Sequence, residues 1–404
     1  MMVNDFTPRK GQEMKELNIA IAMGDGSGPE MMLCAKEVAE VAAGMDGYQI
    51  NWHEASMGWA AYEKYGDTIP QSSLETAVRL KTLFFGGVGD PKFDNTIGKE
   101  HPEMKPEGRC LLKLRDEMGL LLNIRPMIFW DCMQDLSNIH PRHFQEHPGQ
   151  RLELHFVRFL LEDSYFGTRN LFGMMSDSIQ SAMKALGLRQ KSEVTGEEER
   201  VIDMSYYKSS SLERYFEAVF AYAKERDLPV TSIDKANIMA RYMLWRRVFN
   251  KVSAKQEDVK GSVYVDAAAA NLIQNPFSLH GVIACGNEHG DILSDAGAGA
   301  LRSMGMMCSS SINPDTDAAM FESGAGTAPE LAGKNVANPI GRILTAAMML
   351  RHLGAVKGAN AIEQAVQKTL FDGFRTADIR EQNTPSDLIL GTKEITVRIL
   401  DNLN

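Results

Sequence analysis

Leu17-Asn18-Ile19-Ala20-Ile21-Ala22-Met23 runs directly into Gly24-Asp25-Gly26-Ser27-Gly28-Pro29-Glu30, after which Met31 to Ala43 carries apolar residues at helical spacing. A short apolar run, a glycine turn and a helical period in that order predict a strand, a tight turn and a helix. A Rossmann dinucleotide turn is the obvious reading of such a stretch, and it fails on spacing. The glycines stand at 24, 26 and 28, so the third falls one residue early for G-x-G-x-x-G, and Pro29 follows it. Any nucleotide site must be built differently.

The pattern continues outward. Ser72 to Leu80 reads as a helix and Leu83 to Val88 as a strand that runs into Gly89-Asp90-Pro91-Lys92. Helix and strand in alternation favour an α/β layer architecture. Arg151 to Phe159 and Val263 to Val265 alternate like strands, whereas Ser210 to Arg226 and Ile340 to Leu353 read as helices. Arg189 to Glu199 is charged and polar and reads as an exposed loop. There is no internal repeat and no heptad array.

At 404 residues the chain is long enough for two domains, and 44% hydrophobic with 24% charged residues is an ordinary globular mixture. A formal net charge of −10 argues against a nucleic-acid-binding surface, although a local cationic pocket can sit inside an acidic protein. The five cysteines are scattered, with no C-x-x-C pair, and read as reduced thiols. Met1 to Glu16 is polar and carries Pro8, and no apolar run approaches a membrane span, so the expected location is the cytoplasm and no membrane partner is expected.

Three constellations could carry chemistry. Asp291 and Asp295 stand at i and i+4 in Gly290-Asp291-Ile292-Leu293-Ser294-Asp295, a spacing that on a helix puts both carboxylates on one face, within reach of one hard cation. An isolated D-x-x-x-D is more often two solvated acids. Lys235, in Thr231-Ser232-Ile233-Asp234-Lys235-Ala236-Asn237, falls at an apparent strand end, where a desolvated cleft beside a cation could lower its pKa enough for a base. Its plainer reading is a surface lysine. Arg115, Arg125 and Arg158 offer guanidinium forks to a substrate with several carboxylates, and Tyr165 follows Arg158 by seven residues as a candidate proton donor. Each of these residues alone is more often structural.

Taken jointly and in this order, the segments resemble the β-decarboxylating dehydrogenases, the isocitrate/isopropylmalate dehydrogenase family. The likeness covers roughly Leu17 to Asp378 and includes the glycine turn at 24–30, Leu111-Leu112-Lys113-Leu114-Arg115, Arg125, Arg158 with Tyr165, and Thr231 to Asn237. It continues with Tyr264-Val265-Asp266, Asn287, Gly290 to Asp295, Gly326-Thr327-Ala328-Pro329, Asn338-Pro339 and Arg375-Thr376-Ala377-Asp378. The resemblance implies a two-domain α/β isopropylmalate dehydrogenase-like fold that is not Rossmann. Residues 1–120 and 302–404 would form a large domain from both chain ends, and 121–301 a central dimerisation domain.

It also implies roles. Arg115, Arg125 and Arg158 would hold substrate carboxylates, with Leu111, Leu112 and Arg109 completing the substrate pocket. Asp266, Asp291 and Asp295 would bind Mg²⁺ or Mn²⁺. Lys235 with Asp266 would take the hydroxyl proton of a 2-hydroxy di- or tricarboxylic acid, and Tyr165 would protonate the enol carbon. Gly326, Thr327, Ala328, Glu330, Asn338 and Asn237 would bind the dinucleotide. Lys235 and Asp266 would come from the neighbouring subunit, which makes a homodimer the minimal active unit.

The chain also departs from the family pattern. Ala325 replaces the histidine that usually opens the nucleotide loop. Glu330 could accept from a ribose 2′-hydroxyl and would repel a 2′-phosphate, which favours NAD over NADP. Leu111-Leu112 is similar to the isopropylmalate, tartrate and malate branches, whereas Glu162-Asp163-x-Tyr165 is similar to the isocitrate branch. Arg109 would suit a third carboxylate if it does not point to solvent. His289 departs from the aromatic usual at its position and is not expected as a metal ligand. The alternative reading is a non-catalytic regulatory or structural relative with weakened cofactor binding.

Overall fold

The computed structural model describes residues 14–166 and 205–403. The loop expected at Arg189–Glu199 lies outside the described residues. Among the described residues the strands are β1 (Lys15–Ala22), β2 (Tyr48–Glu54), β3 (Thr82–Phe85), β4 (Leu122–Phe129), β5 (Leu152–Phe159), β6 (Val230–Asp234), β7 (Val259–Tyr264), β8 (Gly281–Cys285), β9 (Ser310–Ile312) and β10 (Ala319–Glu322).

The chain divides into two compact units. The first comprises Met1–Leu120, Ile124–Glu153 and Asp295–Asn404, and the second comprises Leu121–Asn123 and Leu154–Ser294. In the first unit the strand order is β2-β1-β3-β10-β9-β4. β1 pairs in parallel with β2 and β3, and β10 lies parallel to β3 but antiparallel to β9. That reversed pair breaks the doubly wound order of a Rossmann sheet. In the second unit β5, β8, β6 and β7 are parallel neighbours in that order.

Every residue of β3, β6 and β8 is buried, as expected of parallel strands covered on both faces. The glycine turn at 24–28 follows β1 and opens the helix Gly28–Gly44, with Pro29 in its first turn, where a missing N–H costs nothing. The helix Ile340–His352 lies in the middle of the first unit, with ten of its 13 residues buried.

Three expectations need correction. β3 ends at Phe85 rather than Val88, because Gly86 packs its backbone against the Met23 carbonyl, where a Cβ would collide, and Gly87 turns with φ +82°. Val265 does not continue β7 but starts the helix Val265–Gln274, so Asp266 sits in a first helical turn. Residues 124–153 and 295–301, expected in the central domain, cluster with the chain ends. Their bonds explain this: Cys132 Sγ donates to Gln367 O, Cys308 Sγ to Pro126 O, and Asn138 N to Ala300 O.

Candidate active site

In the second unit the organising residue is Arg158, near the end of β5 and 1% exposed. A buried guanidinium needs both hydrogen bonds and a counter-charge, since an unpaired buried cation is costly. Its Nη2 donates to Asn287 Oδ1 at 2.7 Å, its Nε to Asn287 O at 3.2 Å and its Nη1 to Asn123 Oδ1 at 3.4 Å. The counter-charge is Asp291, whose Oδ1 lies 2.6 Å from Nη1. Asp291 stands one turn beyond Asn287 on the helix Asn287–Leu301, so one helix face supplies both the hydrogen-bonding amide and the carboxylate.

Tyr165 completes the group by donating its hydroxyl to Asp291 Oδ2 at 3.1 Å. Burial, reinforced by the Asp291 charge, pushes the tyrosine pKa above its ordinary value, so the phenol keeps its proton at neutral pH. Ser164 Oγ donates to Glu288 Oε2 at 3.1 Å, so consecutive residues of the 162–165 turn are fastened to the start of that helix. The structure thus brings together Arg158, Tyr165 and Asp291.

Lys235 and Asp266 form the second pair of that unit. Lys235 follows β6 directly, Asp266 follows β7, and these strands are parallel neighbours, so both side chains emerge at carboxyl ends. Lys235 Nζ lies 2.7 Å from Asp266 Oδ1. The lysine lowers the carboxyl pKa, although Asp266 is 68% exposed and the pair is well solvated. Asn237 is exposed two residues beyond Lys235.

In the first unit Arg125 Nη1 lies 3.0 Å from Asp295 Oδ1, while Arg115 is buried on the short helix Leu112–Glu117. Arg109 is placed differently from the expectation of a substrate clamp. Its Nε and Nη2 donate to the two oxygens of Asp67 at 2.8 and 2.7 Å, a fork-on-carboxylate pair that pulls the Asp67 pKa down. The Nε/Nη2 edge of that guanidinium is therefore already used. Leu111 and Leu112 remain half-buried beside it.

The segment expected to bind nucleotide belongs to the same unit. Gly326 and Glu330 are exposed, and Thr327 and Ala328 are half-buried. Asn338 accepts from Ile340 N at 3.0 Å and donates to Asp378 at 3.0 Å, so its side chain holds the start of the helix Ile340–His352.

Sequence reading passed over Asp25 and Arg342. Asp25 is buried and accepts the backbone N–H groups of Trp59, Ala60 and Gly89 at 2.9, 3.0 and 2.9 Å, yet burial still raises its pKa. Its place in the glycine turn was the available signal. Arg342 is 1% exposed and donates to Phe85 O at 2.6 Å and Gly86 O at 2.8 Å; burial lowers its pKa to about 10. Nothing in its helical context marked it.

The carboxylates Asp266, Asp291 and Asp295 are hard oxygen donors, which suits Mg²⁺ or Mn²⁺. Asp291 and Asp295 are one turn apart on a continuous helix. Each of the three already faces a cation, Lys235, Arg158 and Arg125 respectively. Among the described residues, no three His, Cys, Asp or Glu side chains of one chain gather to hold a metal ion.

The family model for isocitrate/isopropylmalate dehydrogenase matches residues 18–399. The chain belongs to that family. It is 36% identical over 363 residues to the 3-isopropylmalate dehydrogenase of Desulfotalea psychrophila, covering 89% of this chain and 93% of that one. It is 33% identical to the Aquifex aeolicus 3-isopropylmalate dehydrogenase over 96% of this chain and 98% of the relative. Among solved structures, isocitrate dehydrogenase from Methylococcus capsulatus superposes with a TM-score of 0.76 at 26% identity, covering 96% of this chain and 99% of the other. A β-decarboxylating dehydrogenase from Thermococcus kodakarensis gives 0.68 at 26% identity, covering 95% and 96%. The fold is the non-Rossmann one of this family, and membership carries the coarse activity of a β-decarboxylating dehydrogenase with a nucleotide cofactor and a divalent metal. No helix among the described residues is long and apolar enough to cross a membrane.

Proposed function

We propose that this family member oxidises and decarboxylates a 2-hydroxy dicarboxylic acid bearing an apolar substituent, using NAD and Mg²⁺ or Mn²⁺, as a cytoplasmic homodimer. The observation that carries the reading is the buried Arg158, whose counter-ion Asp291 is only partly buried and also bonded to Tyr165. A substrate carboxylate can take over the guanidinium, which frees Asp291 for a cation. Asp291 and Asp295 of one subunit and Asp266 of the partner subunit would hold that cation. When bound, the metal and NAD supply a lowered hydroxyl pKa and a hydride acceptor.

The protein's own groups do the rest. Arg158, Arg125 and Arg115 bind and orient carboxylates. Lys235 of the partner subunit, once its ammonium proton has gone to solvent, receives the hydroxyl proton as a neutral amine, and Tyr165, with its raised pKa, carries the proton destined for the enol carbon. Gly326 to Ala328, Asn338 and Asn237 would receive the dinucleotide, and Glu330 favours NAD by accepting from a ribose hydroxyl.

Two observations favour an apolar substituent over a third carboxylate. Arg109 is already paired with Asp67, and Leu111-Leu112 offers apolar surface. The 3-isopropylmalate dehydrogenase relatives point the same way. The dimer is supported by the second unit's exposed apolar residues: Ile238, Met239, Met243, Tyr264, Ile273 and Ile292 are all solvent-facing in the single chain. A second copy of the chain would cover them.

The test is an NADH-forming assay with Mn²⁺ against isopropylmalate, isocitrate, homoisocitrate, malate and tartrate, repeated with NADP. Turnover with NAD and isopropylmalate is expected. Silence across the panel together with no binding of either nucleotide would overturn the reading and favour a non-catalytic relative.

A further inference from the structure

We propose that Ser27 is a positioning residue for the dinucleotide, acting through the turn Thr327-Ala328-Pro329; this rests on the reading of that segment as the nucleotide loop. Ala328 has φ +37° and ψ +62°, a left-handed conformation that an alanine adopts reluctantly. It also precedes Pro329, and a residue before proline prefers extended backbone. The turn is therefore held against two local preferences at once, and something outside it must do the holding.

The glycine turn does so from one side. Ser27, fully buried, sends both its backbone N–H and its Oγ hydroxyl to the Thr327 carbonyl, each at 2.8 Å. Gly26 has φ +59° and lies so close that a Cβ there would collide with the same carbonyl oxygen. Two residues of the turn thus fix the peptide immediately before Ala328. On the far side Leu331 N donates to Ala328 O at 3.0 Å, and Gly333 N donates to Glu30 Oε2 at 3.0 Å, a tie back to the helix that the glycine turn opens.

A strained loop held ready before its ligand arrives lowers the ordering cost of binding. Ala325, where an aromatic ring is usual in the family, leaves more of that affinity to the backbone of Gly326 to Ala328. Ser27 is fully buried and directs both its donors to Thr327, so its effect belongs in cofactor affinity and not in the chemical step.

The experiment measures the NAD dissociation constant by calorimetry for wild type, Ser27→Ala, Ala328→Gly and the double variant, with kcat and both KM values. Ser27→Ala removes one of the two bonds, and its NAD affinity is expected to fall about three- to ten-fold, the worth of one hydrogen bond. The KM for the hydroxy acid and kcat at saturating NAD stay unchanged. Glycine adopts the left-handed turn without strain, so adding Ala328→Gly to Ser27→Ala is expected to recover most of the lost affinity. A lowered melting temperature with unchanged NAD affinity would make Ser27 structural only and overturn the proposal, as would losses in the double variant that simply add. A wild-type chain that binds neither NAD nor NADP would instead overturn the parent reading, a distinguishable result.

Discussion

Two arginines, Arg158 and Arg342, are both 1% exposed, yet they are satisfied in opposite ways. Arg342 donates hydrogen bonds to the carbonyls of Phe85 and Gly86, backbone atoms that cannot leave, and burial lowers its pKa to about 10 against the opposing pull of the Glu322 charge. Arg158 is held by two asparagines but is neutralised by Asp291, a partly exposed side chain that can take another partner. The first arrangement is a fastener between a helix and the end of a strand. The second, on the proposed function, is where a substrate carboxylate would replace the partly exposed Asp291. Burial alone does not separate structural from functional charge; the exchangeability of the counter-ion does.

Mutations test that contrast at both sites. Arg158→Lys keeps the charge but loses the fork, and kcat/KM for the hydroxy acid is expected to fall about a thousand-fold, with a loss of stability from the asparagine oxygens left without donors that is smaller than at Arg342. If activity survives while the fold weakens, Arg158 is a fastener too. Arg342→Met leaves two buried carbonyls without donors, so it is expected to cost about 3 kcal/mol of stability with the KM for the hydroxy acid unchanged, read from denaturant midpoints and steady-state kinetics.

Smaller effects sharpen the same comparison. Tyr165→Phe removes a proton donor that touches Asp291, and kcat is expected to drop about a hundred-fold with little change in KM. Asp67→Asn loosens Arg109 and is expected to cost about 1 kcal/mol or less, since the pair is about one-third exposed. The sign with pH follows from the depressed Asp67 pKa. The pair's contribution is complete above the ordinary value of 3.8 and is lost as pH falls through the lower folded value. The gap between wild type and Asp67→Asn in acid denaturation should therefore close below pH 3.8. A new preference of Asp67→Asn for tricarboxylic substrates would show that freed Arg109 can still act as a clamp.

Local order was legible where spacing is set by backbone geometry. The strand–turn–helix at 17–43, the i, i+4 carboxylates on Asn287–Leu301 and the strand-end position of Lys235 all follow from periodicity and residue type. The boundary at Phe85 was not, because the strand stops where Gly86 meets Met23, more than 60 residues earlier in the chain. Nor was the grouping of 124–153 with the chain ends, which depends on contacts with residues 300–367.

By itself, then, the sequence determined the element types, the absence of a Rossmann fingerprint and the family to which the motifs belong, because these depend on short-range spacing and on the order of residues along the chain. Only the tertiary structure decided which charges find which partners. It gave Arg109 to Asp67, Arg158 to Asp291 and the Thr327 carbonyl to Ser27. Such pairings join positions 42 to 300 residues apart, and their strength depends on burial and distances that no local pattern encodes.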